Sequence, residues 1–419
     1  MPRSLSKKAL AVTAASLMGV GLLAGCSTTD NGSGGGSSEK VPGVTEKTIE
    51  LGTLQALTGS FAPGAKAQLA GAKLYWEKAN AEGGVCDGRL VQLQARDHAY
   101  DPQKAVTQYS AIRNDILAIQ LLTGTAMTEA VASQMKSDNV VSIPMSWSPD
   151  LLGKPSILIP GTTYDVDMIN AVDYLLKEGK IKQGDNISYL YFQGDFGGPG
   201  FQGAKYAAEK NGLTINEFQV NPNSDLTSEI NQIKAKGSTA IFMSTNPPLL
   251  QKAANLSADA GLNVPIVVPT PTFGPELLGG AGAANLIDRV LVVSPYNAWT
   301  GDSKGLTALR DEYKKSGDTE TPQQFYIAGY AAASLMHSAL EATCKNGDLT
   351  RANLAKEFEN IKSFQMDGLS VDLSYSDRSV PPALGDYVMK VDKEAVGGLT
   401  PVTPKPFKGD DAKPLLKGK

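Results

Sequence analysis

The hydrophobic positions of residues 49–106 change their spacing twice. A strand-like alternation begins at Ile49, and a loop rich in Gly and Pro follows it. A helical spacing then runs over residues 65–82, and alternation resumes until Asp97. The residues predicted to share the buried face of this helix are Leu69, Ala72, Trp76 and Ala79. The segment is therefore a predicted β-α-β unit whose two strands are parallel.

The same exchange of period continues to about residue 391. Buried strands of five to eight residues alternate with helices, which is typical of doubly wound parallel sheets. A long helix is predicted over 322–343, with small residues on its buried face. The carboxyl ends of the first two strands direct attention to residues 57–62 and 97–101, because ligands of such sheets bind at that edge.

The first 25 residues have the pattern of a secretory leader. A basic start containing Arg3, Lys7 and Lys8 precedes an apolar run that is too short for a comfortable membrane span. Leu23-Ala24-Gly25-Cys26 resembles a bacterial lipobox, in which the chain is cut before a cysteine that becomes lipidated; the alternative is an ordinary cleavage site. Residues 26–44 contain GSGGGSS and are predicted to be a flexible tether. We therefore expect an exported protein on the outer face of the cytoplasmic membrane or in the periplasm, attached through Cys26.

Net charge argues against a nucleic-acid partner. Removing the leader takes away three positive charges and changes the formal net charge from −4 to −7. With Cys26 lipidated, Cys86 and Cys344 remain as an even pair, which favours a disulfide outside the cytoplasm; two unrelated free thiols are the alternative.

Three motifs in fixed order carry a family resemblance: LTG after the first strand, NAEGGVCDGR at the end of the first helix, and RDHAYDP after the second strand. Together they resemble type I periplasmic solute-binding proteins of the leucine/isoleucine/valine-binding family. The resemblance implies two doubly wound parallel-sheet lobes, α/β in class, joined by three hinge crossings. It also implies a monomer that traps a small molecule and delivers it to the permease of an ABC importer. The implied domains are 45–160 plus 295–365 for lobe 1, 161–294 plus 366–400 for lobe 2, and a loose tail at 401–419.

The resemblance implies a ligand site built from loops of both lobes. It assigns the carboxylate-binding loop to Thr125 and Ala126, and the next loop to Ser146 and Trp147, where Trp147 replaces the family's threonine. The resemblance places Phe61 and Phe196 near the family's ligand-covering aromatic residues, and it places Asn246 and Thr272 at further ligand-binding positions of the second lobe. Residues 270–273 contain no acid where the family's amino-acid binders have a glutamate. We therefore expect a small hydrophobic or aromatic ligand, or a branched-chain amino acid if Asp195 or Asp165 replaces that glutamate.

Two competing interpretations start from other motifs. Residues 198–203 spell GxGxxG, but Pro199 removes an N–H and the preceding strand ends too early for a dinucleotide site. Asp97 and His98 could belong to an extracellular hydrolase, although no nucleophile motif or metal-ligand spacing accompanies them. A ligand sensor with the same fold is the remaining alternative. We expect no enzyme activity, no cofactor and no metal.

Overall fold

The computed structural model describes residues 40–194 and 196–417. The leader, Cys26 and most of the tether lie outside these residues, as does Asp195. The helices and strands, in chain order, are β1 Thr48–Gln55, α1 Ala62–Ala81, β2 Leu90–Asp97, α2 Pro102–Ile112, β3 Ala118–Thr123, α3 Thr125–Ser137, β4 Ser142–Met145, α4 Tyr164–Lys177, β5 Asn186–Phe192, α5 Gly197–Lys210, β6 Thr214–Val220, α6 Thr227–Ala235, β7 Ser238–Ser244, α7 Pro247–Asp259, β8 Ile266–Pro269, β9 Val290–Ser294, α8 Lys304–Ser316, α9 Gln324–Asn346, α10 Arg351–Asn360, β10 Ser363–Phe364, β11 Leu373–Ser374, β12 Tyr387–Val391 and β13 Leu399–Pro401.

The first sheet has the order β2-β1-β3-β4, and all its strands are parallel. Side chains of β3 pack on both faces of the sheet, and a register shift after Ile119 interrupts their alternation. Ala118 and Leu121 pack with α1 and α9, whereas Ile119 and Leu122 pack with α2 and α3. This sheet and its helices are called the first lobe below.

The second sheet has seven strands in the order β13-β12-β9-β8-β7-β5-β6. In β5, Tyr189 faces the α4–α5 core and Leu190 faces the opposite core, so helices cover both faces. The strands from β9 to β6 in this order are parallel, as predicted, but β12 and β13 are antiparallel to their neighbours. This sheet with α4–α7 is called the second lobe. The chain passes between the sheets after β4, after β9 and before β12, which confirms the predicted fold class.

Helices α1 and α9 approach each other closely because each has a glycine at the contact. A Cβ at Gly71 would lie 2.0 Å from the Tyr326 carbonyl oxygen, and one at Gly329 would lie 1.9 Å from that of Gln68. A disulfide links the ends of these helices, since Cys86 and Cys344 are bonded with their Cα atoms 5.5 Å apart. The predicted pairing is thus present in the structure.

The tail and one helix differ from the sequence-based predictions. Phe407 exchanges backbone hydrogen bonds with Asp386, its ring packs on Tyr174, and Ala412 is fully buried. The prediction of a loose tail is therefore wrong for this stretch, because a few apolar side chains suffice to attach it to the second lobe. Helix α8 was not predicted, since only Leu306, Leu309 and Gly305 are buried in an otherwise polar segment.

Candidate functional site

A pocket lies between the two lobes at the carboxyl ends of their parallel strands, where ligands of such sheets bind. It contains about 590 Å³ of empty space, part of which opens to solvent. The first lobe contributes Ser60, Phe61, Gly64, Ala65, Gln68, Tyr100, Thr123, Gly124, Met145, Trp147, Gln323 and Phe325. The second contributes Tyr164, Phe196, Pro247, Pro271, Phe273, Gly274 and Glu276. Among these described lining residues there is no lysine, arginine or histidine.

Aromatic rings form a continuous series along the wall. Phe61 lies 4.5 Å from Tyr100 and 6.3 Å from Phe196, measured between ring centroids. Tyr164 continues the series between Phe196 and Trp147, at 5.6 Å and 5.7 Å. The series crosses from one lobe to the other, so the walls suit an apolar or flat ligand body.

The lobes also meet through polar groups at the pocket. Asn246 begins helix α7 by accepting a hydrogen bond from the Leu249 N–H, and its Nδ2 donates to Ser60 Oγ over 3.4 Å. Ser60 lines the pocket, whereas Asn246 is not among the lining residues. Asn246 therefore joins the second lobe to the first beside the site.

Two buried donors in the lining have no hydrogen-bond partner among the described residues: Gln68 Nε2 and Trp147 Nε1. Each residue is only 1% exposed. Leaving a buried donor unsatisfied costs about 1–3 kcal/mol, so a ligand acceptor that reaches either group relieves that cost. Sequence reasoning found Trp147 but missed Gln68, because a glutamine within a helix carries no local signal of this role.

Thr125 was predicted to present its hydroxyl to the ligand, and Ser146 was assigned the small-residue position of the next loop. The structure instead joins them by a 2.6 Å hydrogen bond, and Ser146 also bonds the Tyr164 hydroxyl. Burial raises the pKa of Tyr164, which keeps this phenol neutral. Neither Thr125 nor Ser146 is among the residues that line the pocket, and they hold the α3 and β4 loops and Tyr164 together.

The other predicted positions separate into lining and supporting residues. Phe61, Trp147 and Phe196 line the pocket. Ala126 packs with Tyr100 against the core of α2 and α3, and Thr272 Oγ1 accepts a hydrogen bond from the Thr245 N–H. Their contribution is to position the loops that do line it.

A carboxylate lies at the site although residues 270–273 contain none. Glu276, in the short 3₁₀ helix Pro275–Gly279, lines the pocket and packs over Gly274, where a Cβ would come within 2.3 Å of its oxygens. The residue is exposed at the rim, yet protein atoms crowd its carboxyl, and this burial raises the pKa of Glu276. Residues 270–273 contain no acid, as the sequence shows, and the carboxylate at the pocket comes from a later turn that the sequence analysis did not single out. Asp165 is in the first turn of α4 and does not line the pocket.

Asp97 and His98 have structural partners instead of a place in the pocket. The Asp97 carboxylate accepts hydrogen bonds from Leu57 N, Thr58 Oγ and Ala99 N; burial opposes the charge, but these bonds lower the pKa of Asp97 overall. His98 Nδ1 accepts from the Tyr100 N–H, and burial lowers the pKa of His98 to about 4. Together they fix the loops that carry Phe61 and Tyr100.

The GxGxxG sequence lies inside a helix, not in a phosphate-binding turn. It occupies the first two turns of α5, and a Cβ at Gly203 would lie 2.2 Å from the Asp165 carbonyl oxygen. Its glycines therefore allow α5 to pack tightly on α4. Within residues 40–194 and 196–417, no group of three or more His, Cys, Asp or Glu side chains could hold a metal ion.

In the part of the chain that the structure describes, no helix has both the length and the apolar content to cross a membrane.

Comparisons with known proteins agree with the observed fold. Residues 48–395 match the periplasmic binding protein family. The structure is similar to a fatty acid ABC transporter substrate-binding protein from Thermomonospora curvata, with 35% identity, a TM-score of 0.86, and coverage of 90% of this chain and 96% of that one. No curated protein matches the chain.

Two further solved structures share the fold at low identity. A branched-chain amino acid ABC transporter protein from Thermus thermophilus with bound valine has 19% identity and a TM-score of 0.76, and covers 90% of this chain and 100% of its own. A leucine-binding protein from Thermotoga maritima has 14% identity and a TM-score of 0.74, with coverage of 87% and 100%. The family match spans most of the chain, and the chain therefore belongs to the periplasmic binding proteins, with the type I fold of that family.

Proposed function

We propose that this protein is the lipid-anchored receptor of an ABC importer and that it binds a small apolar compound with an acceptor-rich head, such as a fatty or aromatic carboxylic acid. One observation carries the proposal: the pocket combines aromatic and proline walls with buried N–H donors that have no partner among the described residues, and none of the described lining residues is a cation. Apolar walls bury a hydrocarbon body, while donors without partners favour an acceptor over a donor.

A standard amino acid fits this pocket less well. Its ammonium needs an anionic partner once it is removed from water. Glu276, at the exposed rim, is the single carboxylate among the described lining residues. Similarity to the fatty acid protein from Thermomonospora curvata supports the same ligand class.

Export and anchoring complete the proposal. Lipidation of Cys26 and a tether over 26–44 would hold a monomeric receptor near the permease of the importer. Cys26→Ala should release correctly folded protein into the soluble fraction, because the anchor contributes nothing to either lobe. Membrane fractionation that finds the variant still bound would contradict the anchor.

The ligand class is tested by mass spectrometry of small molecules released on denaturation, followed by calorimetric titration of the stripped protein. We expect decanoate or an aromatic acid to bind with micromolar affinity or better, and leucine, isoleucine and valine to bind far more weakly. The reverse order would favour the second candidate, a branched-chain amino acid receptor whose ammonium partner is Glu276.

A further inference from the structure

The side-chain amide of Gln68 is oriented by two converging donors. Gln55 Nε2 donates to Gln68 Oε1 over 2.7 Å, and Thr123 Oγ1 donates to the same oxygen over 3.3 Å. Because both donors take the oxygen, the NH₂ group is left for another acceptor. Within the described residues it has none, and the side chain lines the pocket.

Trp147 presents a second donor whose orientation is also fixed by its neighbours. Its ring packs between Tyr164 and Tyr296, with centroid distances of 5.7 Å and 5.6 Å, and its carbonyl oxygen accepts a hydrogen bond from the Tyr164 N–H. These contacts hold the indole in place, and its N–H has no partner in the described structure. Two rigidly held donors without protein acceptors in one pocket are available to an acceptor group of a ligand.

The N-terminus of helix α3 lies at the pocket and favours negative charge there. Gly124, which lines the pocket, precedes the first residue of α3. The first N–H groups of a helix have no acceptor within it, and the helix dipole favours negative charge there. Gln68, Trp147 and Gly124 all belong to the first lobe, whereas the second lobe contributes mainly Phe196, Phe273 and prolines.

We propose that Gln68 is the residue that selects the ligand's head group, acting with Trp147 Nε1, and that Gln55 and Thr123 are positioning residues that aim its NH₂ group. The head enters the first lobe, and the apolar body lies against the second. This inference rests on the proposed function, since it assumes an apolar ligand with an acceptor head.

The test compares two ligands that differ only at the head. Calorimetry measures decanoate and 1-decanol on the purified full chain after bound ligand has been removed by reversible unfolding. We expect the normal protein to prefer decanoate by about tenfold or more, because hydrogen bonds to a charged group are stronger than those to a neutral one. Gln68→Leu should abolish that preference and leave decanol affinity within about threefold.

Two further variants separate a head contact from general damage. Gln68→Glu has nearly the same shape and still accepts from Gln55 and Thr123, but it repels a carboxylate, so decanoate should lose affinity while decylamine gains it. Trp147→Phe keeps the ring and removes the N–H, and should also reduce the preference. Gln120→Leu is the matched control, because Gln120 is fully buried, has an unpartnered Nε2 and does not line the pocket.

The outcomes distinguish this inference from the proposed function. If the normal protein binds both ligands equally, or if both Gln68 variants keep its preference for decanoate, the head-group role is overturned and the apolar ligand class stands. If the normal protein binds neither decanoate nor decanol, both the ligand class and the role of Gln68 fail. Loss of preference in Gln120→Leu as well would also overturn the assignment to Gln68.

Discussion

The pocket and a buried carboxyl cluster in the second lobe differ in how far their buried polar groups are hydrogen-bonded within the protein. The carboxyl cluster consists of Thr162, Asp167, Asn170 and Asp386, all of which are fully buried. In the pocket, the Gln68 Nε2 and Trp147 Nε1 donors have no partner within residues 40–194 and 196–417. In the carboxyl cluster, the side chains bond chiefly to one another, and of their polar atoms only Asp167 Oδ2 has no partner among the described residues.

Short hydrogen bonds connect the carboxyl cluster. Thr162 Oγ1 lies 2.5 Å from Asp167 Oδ1 and 2.7 Å from Asp386 Oδ1, and Asn170 Nδ2 donates to Asp386 Oδ2 over 2.6 Å. Burial raises the pKa of both carboxyls, which favours the protonated form of the pair. Asn170 Oδ1 accepts the Gly409 N–H, so the cluster also attaches the tail.

This difference teaches how to separate structural from ligand-binding polar groups in a buried region. Groups that satisfy one another stabilise the fold and leave nothing for a ligand. Groups whose partners are missing raise the free energy of the empty pocket and become useful when ligand binds. Changes in the carboxyl cluster should therefore alter stability, and changes in the pocket should alter affinity.

The largest expected effect comes from removing the cluster's amide. Asn170→Leu removes the amide donor to Asp386 Oδ2 and the acceptor of the Gly409 N–H, and should lower the free energy of unfolding by about 3–5 kcal/mol. Urea denaturation measures this, and decanoate affinity of the folded fraction should stay unchanged. Asn360→Leu, at an exposed position, is the control and should change stability by less than about 0.5 kcal/mol. Equal stability of the two variants would contradict the cluster's role.

The pocket should respond in the opposite sense. Trp147→Ala removes an aromatic wall and a donor, and should weaken decanoate binding by about 2–4 kcal/mol in calorimetry. Trp299→Ala is matched to it, because Trp299 is 7% exposed and packs on Tyr313 and Tyr326 away from the pocket. That variant should lose stability and keep its affinity. An equal loss of affinity in both would show that the comparison between regions is mistaken.

A change of pH should alter the free energy of unfolding through the carboxyl cluster more than through the pocket. Burial raises the pKa of Asp386 to about 6, and burial with the neighbouring Asp386 charge raises that of Asp167. A folded-state pKa above the unfolded value means that the folded state holds the proton more tightly. Stability from this source is complete below about pH 4 and is lost as the pH rises through about 6.

We therefore expect the free energy of unfolding to fall by about 2 kcal/mol between pH 4.5 and 7.5, as measured by urea denaturation. Asp386→Asn removes one of the two titrating carboxyls of the cluster and should reduce the slope. A variant that retains the full slope would place its origin elsewhere in the protein.

The smallest expected effect is at the rim. Glu276→Gln removes the pocket's carboxylate and should change decanoate affinity by less than about threefold, because an apolar acid has no ammonium to pair with it. Calorimetry with leucine sharpens the result. If leucine binds the normal protein well and loses affinity in this variant, Glu276 is the ammonium partner and the ligand class is an amino acid.

Much of the fold could be predicted because its signals are local. The change of spacing over residues 49–106 indicates β1, α1 and β2 correctly, and the small residues of the predicted helix 322–343 do lie on the buried side of α9. Period and turn chemistry act within a few residues of each other, so they can be seen in the sequence. Helix α8 was not predicted, because its short apolar face gives only a weak helical pattern.

The candidate site divides in the same way. Phe61, Trp147 and Phe196 could be found because each follows a predicted strand, where parallel sheets bind ligands. Glu276 and Gln68 could not be found by that rule. Glu276 follows its strand only after an additional turn, and Gln68 lies within a helix.

The sequence by itself determined the alternation of strands and helices, the even pair of cysteines and the aromatic loops at the strand ends. Only the tertiary structure decided which polar groups bond each other and which remain for a ligand. Gln68 becomes a donor to the pocket because Gln55, from β1, and Thr123, from β3, both occupy its oxygen. Hydrogen-bond satisfaction depends on contacts between residues far apart in the chain, so no local pattern could have assigned it.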